Sequence, residues 1–351
     1  MQKVQRHDVI FFLHRVYPKK GPDDISLKNF DRFLKLLKQI FKIVPLEDVL
    51  YEKSNEKRAV ITFDDGYADN FVYAYPLLKK HKVNAHLFVS AGRITEEPPR
   101  KTLEDYWNGK VALSELYKPK GMFDAHVDFL LNGKSSEFLS WEELEKMKDV
   151  FSYGAHGLNH LAHPCSEEPV DFFDGTNFRW TILTYGWIKT GTPIFPTRSS
   201  LDTKIFTPSQ EMLELCTSFP KTGKNWKKKL KEELIKLENK GSFETTEEAE
   251  KRIEKELLES KRILEENLSR KIETFAWPFG HFSEFSERIA KKHFKFLFTI
   301  KKGIIKEGMN PYRLPRVWIG KDIFTFLGRI LFFSSEHGFK VYKRFKGGKV
   351  I

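Results

Sequence analysis

One pairing recurs along this chain and limits what it can fold into. A short apolar run rich in strand formers ends in a residue able to bind a metal or move a proton. "DVIFFLH" (8–14) ends at His14, "RAVITFDD" (58–65) at Asp64 and Asp65, and "FSYGAH" (151–156) at His156. Such runs read as β-strands. Stretches with helical spacing separate them. "SLKNFDRFLKLLKQIF" (26–41) carries an apolar stripe with Ser26 as N-cap. "NFVYAYPLLKKH" (70–81) reads as a helix that Pro76 must kink or shorten. "NAHLFVS" (84–90) is a further strand, and "SWEELEKMKDV" (140–150) a helix with a Ser140–Glu143 capping box. A long amphipathic helix spans 245–268, capped by Thr245 and Glu248, with Ile253, Leu257, Leu264 and Leu268 on one face. Strand "ETFAWPF", helix "SEFSERIAKKH" and strands "FKFLFTI" and "RLPRVWI" complete the series. Strands alternating with helices predict a mostly parallel sheet, or a barrel covered by helices.

Two stretches break the rhythm, 93–137 and 165–244, and are expected to be insertions on the loop face. The second holds a basic helical segment, 224–239, with a thin apolar stripe. Residues 1–320 are expected to form the barrel and 321–351 a basic, aromatic extension. No internal repeat is evident.

Two adjacent carboxylates at the end of an apolar strand need a reason, because like charges repel and burial raises the cost of both. A cation supplies one. In "GAHGLNH", His156 and His160 stand four apart, but Gly154 and Gly157 argue for a strand turning into a loop, not a helix. The zincin glutamate is missing, so any general base comes from elsewhere, and Asp64 and Asp65 are available. One carboxylate and two imidazoles form an open metal site, with the second carboxylate free to act as base. Each motif alone also fits a plain alternative: Asp-Asp-Gly as a turn, His-x-x-x-His as surface histidines. Their shared place at strand ends favours a site, since active sites gather at the carboxyl ends of strands in such folds.

Lys and Arg number 60 against 48 Asp and Glu, a formal charge of +12, which favours anionic partners or simply a solvated basic surface. No zinc-finger spacing or RNA-recognition signature points to specific nucleic-acid binding. The two cysteines, Cys165 and Cys216, exclude a disulfide framework and a cysteine-based zinc site. The apolar run at 9–13 is too short for a signal-peptide core, and "FTFLGRILFF" (324–333) is short for a span and carries Arg329. The expectation is a cytoplasmic protein, with Trp226 and the aromatic residues of the tail among basic ones offering peripheral contact with an anionic membrane.

Taken in order, "FFLHRV", "TFDDG" (62–66), "HGLNH" (156–160), "FAWPFG" (275–280) and "LPRVW" (314–318) resemble the motifs of the polysaccharide deacetylases, carbohydrate esterases of the nodulation-deacetylase homology type. The N-terminal part is similar to the subgroup that includes deacetylases of poly-N-acetylglucosamine. The resemblance spans roughly 8–320 without the insertions and implies a distorted (β/α) barrel of about seven units. It implies Asp64 as base and Asp65, His156 and His160 as ligands of one divalent ion, zinc first, with cobalt, nickel, manganese or iron as alternatives. The late Leu-x-His histidine of many members is absent, so His14 takes the general-acid role. The arginine that pairs with the base is also missing from its usual segment, which leaves Arg316 as its replacement, or as an ordinary structural ion pair. Tyr67 offers a backbone amide to the oxyanion. Trp277 and Phe279 offer walls for an acetyl methyl or a sugar face, or pack the barrel. The implied function is removal of N-acetyl groups from a carbohydrate. The alternatives are a non-sugar amide on the same metal, or a non-catalytic sugar-binding relative.

Overall fold

The computed structural model describes residues 7–185 and 188–345. Seven apolar runs become parallel strands of one sheet: β1 His7–Leu13, β2 Lys57–Asp65, β3 Ala85–Val89, β4 Phe151–Ala155, β5 Thr274–Ala276, β6 Phe296–Phe298 and β7 Val317–Trp318. Their order is β6-β5-β4-β3-β2-β1-β7, and the short strand Lys42–Ile43 adds to β2. The sheet curls until its ends meet through segment 311–316. Leu314 N donates to Leu297 O (3.0 Å) and Arg316 N to Lys301 O (3.1 Å), and the next two residues form β7 against β1. The result is a distorted (β/α) barrel.

Side chains alternate across the strands, as the pleat requires. Ile10, Val60, Phe88, Ala276 and Phe298 fill the barrel. Val9, Phe11, Leu13, Ile61, Phe63 and Leu87 face outward under the helices. Those helices are α1 Leu27–Ile40, α2 Tyr75–His81, α4 Trp141–Lys146, α5 Thr246–Leu268, α6 Glu284–Ala290, α7 Ile323–Phe333 and α8 Glu336–Phe345, while α3 Met122–Asn132 packs apart from them on Tyr67 and Phe138. Ser26 caps α1, and both expected capping boxes form at α4 and α5. The four apolar residues read as one face of α5 are all buried. The α-helix is shortened at Pro76, as expected. A π-turn, Asn70–Ala74, precedes α2, and Pro76 falls in the first turn of α2, where its missing N–H costs little.

The stretch 165–244 builds a small core of its own from Phe172, Phe195, Phe206, Met212, Cys216, Leu230 and Leu234. The basic segment enters it as helix Trp226–Lys236, whose apolar stripe is spent on Leu230 and Leu234. At the other end of the chain, α7 docks Phe326 onto Phe33 and Phe11 with ring centroids 4.2 and 6.3 Å apart. Its opposite face leaves Phe324 and Leu331 81% and 68% exposed, and Phe345 of α8 is also exposed. The tail beyond 345 lies outside the described residues. Among the described residues no helix is long and apolar enough to cross a membrane.

Candidate active site

Register alone brings the predicted strand-end residues together. Leu13 pairs with Phe63, Asp65 with Val89, Val89 with Ala155, and Ala155 with Phe275. The residues that leave these strands therefore share one rim: His14, Asp64 and Asp65, His156 and Trp277. They line a cavity of about 630 Å³ together with His160 and Phe279, a size suited to a small ligand or one or two sugar units.

The two carboxylates do not confront each other. Asp64 follows Val60 and Thr62 to the inner face, where Arg316 clamps it with bonds of 2.6 and 2.8 Å. Asp65 would follow Phe63 outward, but its φ of 75° turns it along the rim toward the histidines. Left-handed backbone is uncommon outside glycine and concentrates where a site demands it. Among the described residues five non-glycine positions have positive φ. Lys82 and Ser269 end helices; the other three, Asp65, His160 and Phe279, line this cavity.

Asp65 Oδ1 lies 3.2 Å from His156 Nε2 and 3.3 Å from His160 Nε2. It is buried and accepts no hydrogen bond. Donors about 2.0–2.1 Å from a tetrahedral ion stand roughly 3.3–3.4 Å apart, so this spacing suits one. His156 Nδ1 lies 2.8 Å from Ala276 O. A carbonyl can only accept, so Nδ1 carries a proton and Nε2 is the ring atom left toward Asp65. Burial pushes the His160 imidazole well below its usual range, which keeps it neutral. The loop between the histidines is pinned. Gly157, at φ 78°, accepts from Ser260 of α5 (2.9 Å), and Gly92 N donates to Leu158 O (2.8 Å). The donor set fits a divalent ion.

For Asp64, burial would raise the carboxyl. Arg316, with His156 and His14 behind it, reverses this and holds it below the usual range. His14 sits across the cavity. Its N–H donates to Asp24 Oδ2 (2.6 Å), and its ring Nδ1 lies 3.3 Å from the same oxygen. Burial would lower its pKa, but the Asp24 bond and the charges of Asp65, Asp24 and Asp64 raise it to about 9.

Several residues without a role in the sequence reading support this arrangement. Asp24 also accepts from Arg15 N and Trp318 Nε1. Arg15, fully buried, bonds Asp69 (2.7 Å) and Glu137 (2.9 Å) beneath the rim. Arg15 and Asp69 stand next to motif residues, and a charge in so apolar a context was a usable signal. His126 on α3 and Trp180 come from the two insertions and line the cavity; nothing in their spacing marks them. The Tyr67 side chain turns away from the cavity, stacked on Phe138 (5.1 Å) with the Arg15 guanidinium over its ring (4.2 Å). Phe279 stands 4.2 Å from the His160 ring. Trp277 is almost wholly buried, with Nε1 unpartnered.

The polysaccharide deacetylase family model matches residues 51–171, which include Asp64, Asp65, His156 and His160 but not His14, Trp277, Phe279 or Arg316. The "Putative polysaccharide deacetylase YxkH" of Bacillus subtilis (strain 168) is 53% identical over 38 residues, which are 11% of this chain and only 14% of that protein. In fold, the chain is similar to IcaB from Ammonifex degensii, with TM-score 0.51, 16% identity, and 92% and 95% of the two chains covered. It is similar also to a de-N-acetylase from Aggregatibacter actinomycetemcomitans, with TM-score 0.56, 14% identity, and 92% and 99% covered. The BpsB deacetylase domain from Bordetella bronchiseptica gives TM-score 0.54 at 13% identity, with 90% and 96% covered. At these identities the likeness is one of fold. The resemblance read from the motifs and the comparisons name the same family.

Proposed function

We propose that the protein is a metal-dependent hydrolase that removes N-acetyl groups from a carbohydrate, with Asp65, His156 and His160 holding one divalent ion. The observation that carries this reading is the convergence of three buried donors, with Asp65 Oδ1 at tetrahedral spacing from both imidazoles, between Asp64 and His14. Zinc is the first choice for two imidazoles and a carboxylate, with cobalt, nickel, manganese or iron as alternatives.

When bound, the ion supplies Lewis-acid polarisation of the acyl carbonyl and makes water easier to deprotonate. The chain's own residues do the rest. Asp64, kept ionised by Arg316, accepts the proton of the attacking water as the new C–O bond forms. Arg316 occupies both oxygens in fixed geometry, so the carboxylate cannot swing onto the ligands. The backbone N–H of Tyr67 is the proposed donor to the developing oxyanion. As the C–N bond breaks, His14 gives its proton to the leaving amine. Asp24 holds the ring and keeps it protonated at neutral pH. The products are acetate and the free amine.

Trp277 and Phe279 are the proposed apolar walls. The exposed ridge of α7, beside the basic residues of α8, is proposed to rest on an anionic bilayer, the contact its charge and aromatic content would favour. The deciding experiment is acetate release from a panel of N-acetylated sugars with and without chelator. Chelator-sensitive release supports the assignment, and absence of release from every sugar, with metal bound, overturns it.

A further inference from the structure

Arg93 ends the turn Ala91–Arg93 that follows β3, and it is almost completely buried. Its Nε donates to Asn159 O (2.9 Å), and its Nη2 to His160 O (3.3 Å) and to His126 Nδ1 (2.9 Å). The guanidinium lies between the rings of Phe129 and Phe138 at 4.9 and 5.0 Å. Among the described residues no carboxylate reaches ion-pair distance of it. An arginine can only donate. The Nδ1 of His126 must therefore be the acceptor, which places its proton on Nε2. The ring is held on its face as well: it stacks on Trp180 with centroids 4.9 Å apart and planes 11° apart. It stands 5.6 Å from the His160 ring and lines the cavity, and among the described residues no group bonds its Nε2.

We propose that His126 presents a fixed Nε2–H donor to an acceptor oxygen of the substrate, a hydroxyl or carbonyl beside the scissile amide, and that Arg93 is the positioning residue that sets this tautomer. The inference rests on the deacetylase reading for the identity of the substrate, but not for the tautomer. A buried cation without a carboxylate is costly, and its place behind an imidazole that faces the cavity gives it a use. Its field strengthens the Nε2–H as a donor, and the two insertions thereby deliver one rigid polar contact to an otherwise aromatic wall. A contact made in the ground state shows in affinity and KM more than in kcat.

The test uses the full-length, metal-loaded protein in an Asp64→Asn background, so that the probe is not consumed, with tri-N-acetylchitotriose titrated by calorimetry. His126→Phe, which keeps the ring stack and removes the donor, is expected to raise Kd by about three- to tenfold. His126→Gln, which returns an N–H near the same place, is expected to recover part of it. Long-range proton–nitrogen spectra of the unsubstituted protein should show His126 protonated at Nε2 and bare at Nδ1. In Arg93→Met the two tautomers should mix. An unchanged Kd in His126→Phe, or a proton on Nδ1, overturns the inference while leaving the deacetylase reading intact. If His126→Phe fails to fold, the spectrum of the unsubstituted protein decides. If the unsubstituted, metal-loaded protein releases acetate from no sugar of the panel, the proposed function falls and this inference falls with it; if it acts on another panel sugar and not the trimer, that sugar is the titrant and the same outcomes decide.

Discussion

At the floor of the cavity, Asp64, Asp65 and His156 leave β2 and β4, which flank β3 and are held in register through it by parallel ladders. In its walls, His126 and Trp180 hang from two excursions that share no ladder with that sheet. The floor holds its groups through backbone pairing and charge: Arg316 on Asp64, Asp24 on His14, Ala276 on His156. The walls hold theirs through ring stacking and one arginine. The difference is one of tolerance. Shifting a floor residue by one position would send its side chain to the other face of the sheet, whereas a wall can be rebuilt without disturbing the strands. On the proposed function, the floor would set the reaction class and the walls would distinguish one substrate from another.

The sharpest way to break this division is to empty the floor. His156→Ala/His160→Ala should abolish both metal content, by elemental analysis, and turnover; wild-type metal in that variant would dissolve the assignment. Next in size, Asp64→Asn should keep its metal and lose turnover by roughly 10²–10⁴. If it loses the metal while Asp65→Asn retains it, the two aspartates have exchanged roles.

His14→Ala should cost a comparable factor on amides and less on an acyl ester with a good leaving group, which needs no proton. His14 is cationic below its pKa, so the rate should fall as pH rises through it. That limb belongs at or below about 9, because a dication on Asp65 would cancel part of the field that raises it. Loss of the limb in His14→Ala would tie it to this residue; equal losses on amide and ester would make His14 a positioning group.

Smallest of all should be the effect of the outer ridge. Phe324→Ser/Leu331→Ser is expected to leave turnover on a soluble sugar unchanged and to weaken cosedimentation with anionic vesicles at low salt. Binding that ignores lipid charge and salt would remove the membrane contact.

The same division explains what could be read from the sequence. The strands, the capping boxes and the buried stripe of α5 were legible because each is encoded within a few residues. The meeting of Asp65, His156 and His160 followed from strand-end placement in an alternating fold. Arg316 was reached only through the family resemblance, as the replacement for an arginine missing from its usual segment, and it does lie on Asp64. Asp24 was out of reach. It follows Asp23 in a Gly-Pro turn, and only the closed structure shows that Asp24 turns to His14 while Asp23 accepts from Tyr17 and Met122. His126 and Trp180 were illegible for a stronger reason: no periodicity governs the insertions that carry them, and their partners are far away in the chain.

The segment that joins the barrel's two ends carries Arg316, 252 residues from the aspartate it clamps. The proposed ligands are all present by residue 160, but the base's counter-charge arrives with the stretch that seals the ring. During synthesis a chain that ends before this stretch would hold the means to capture an ion without the means to use it. Contacts so distant in sequence form late, because loop closure must come first. Cation uptake and hydrolytic competence should therefore appear as separate events in refolding, with hydrolysis waiting on the final closure.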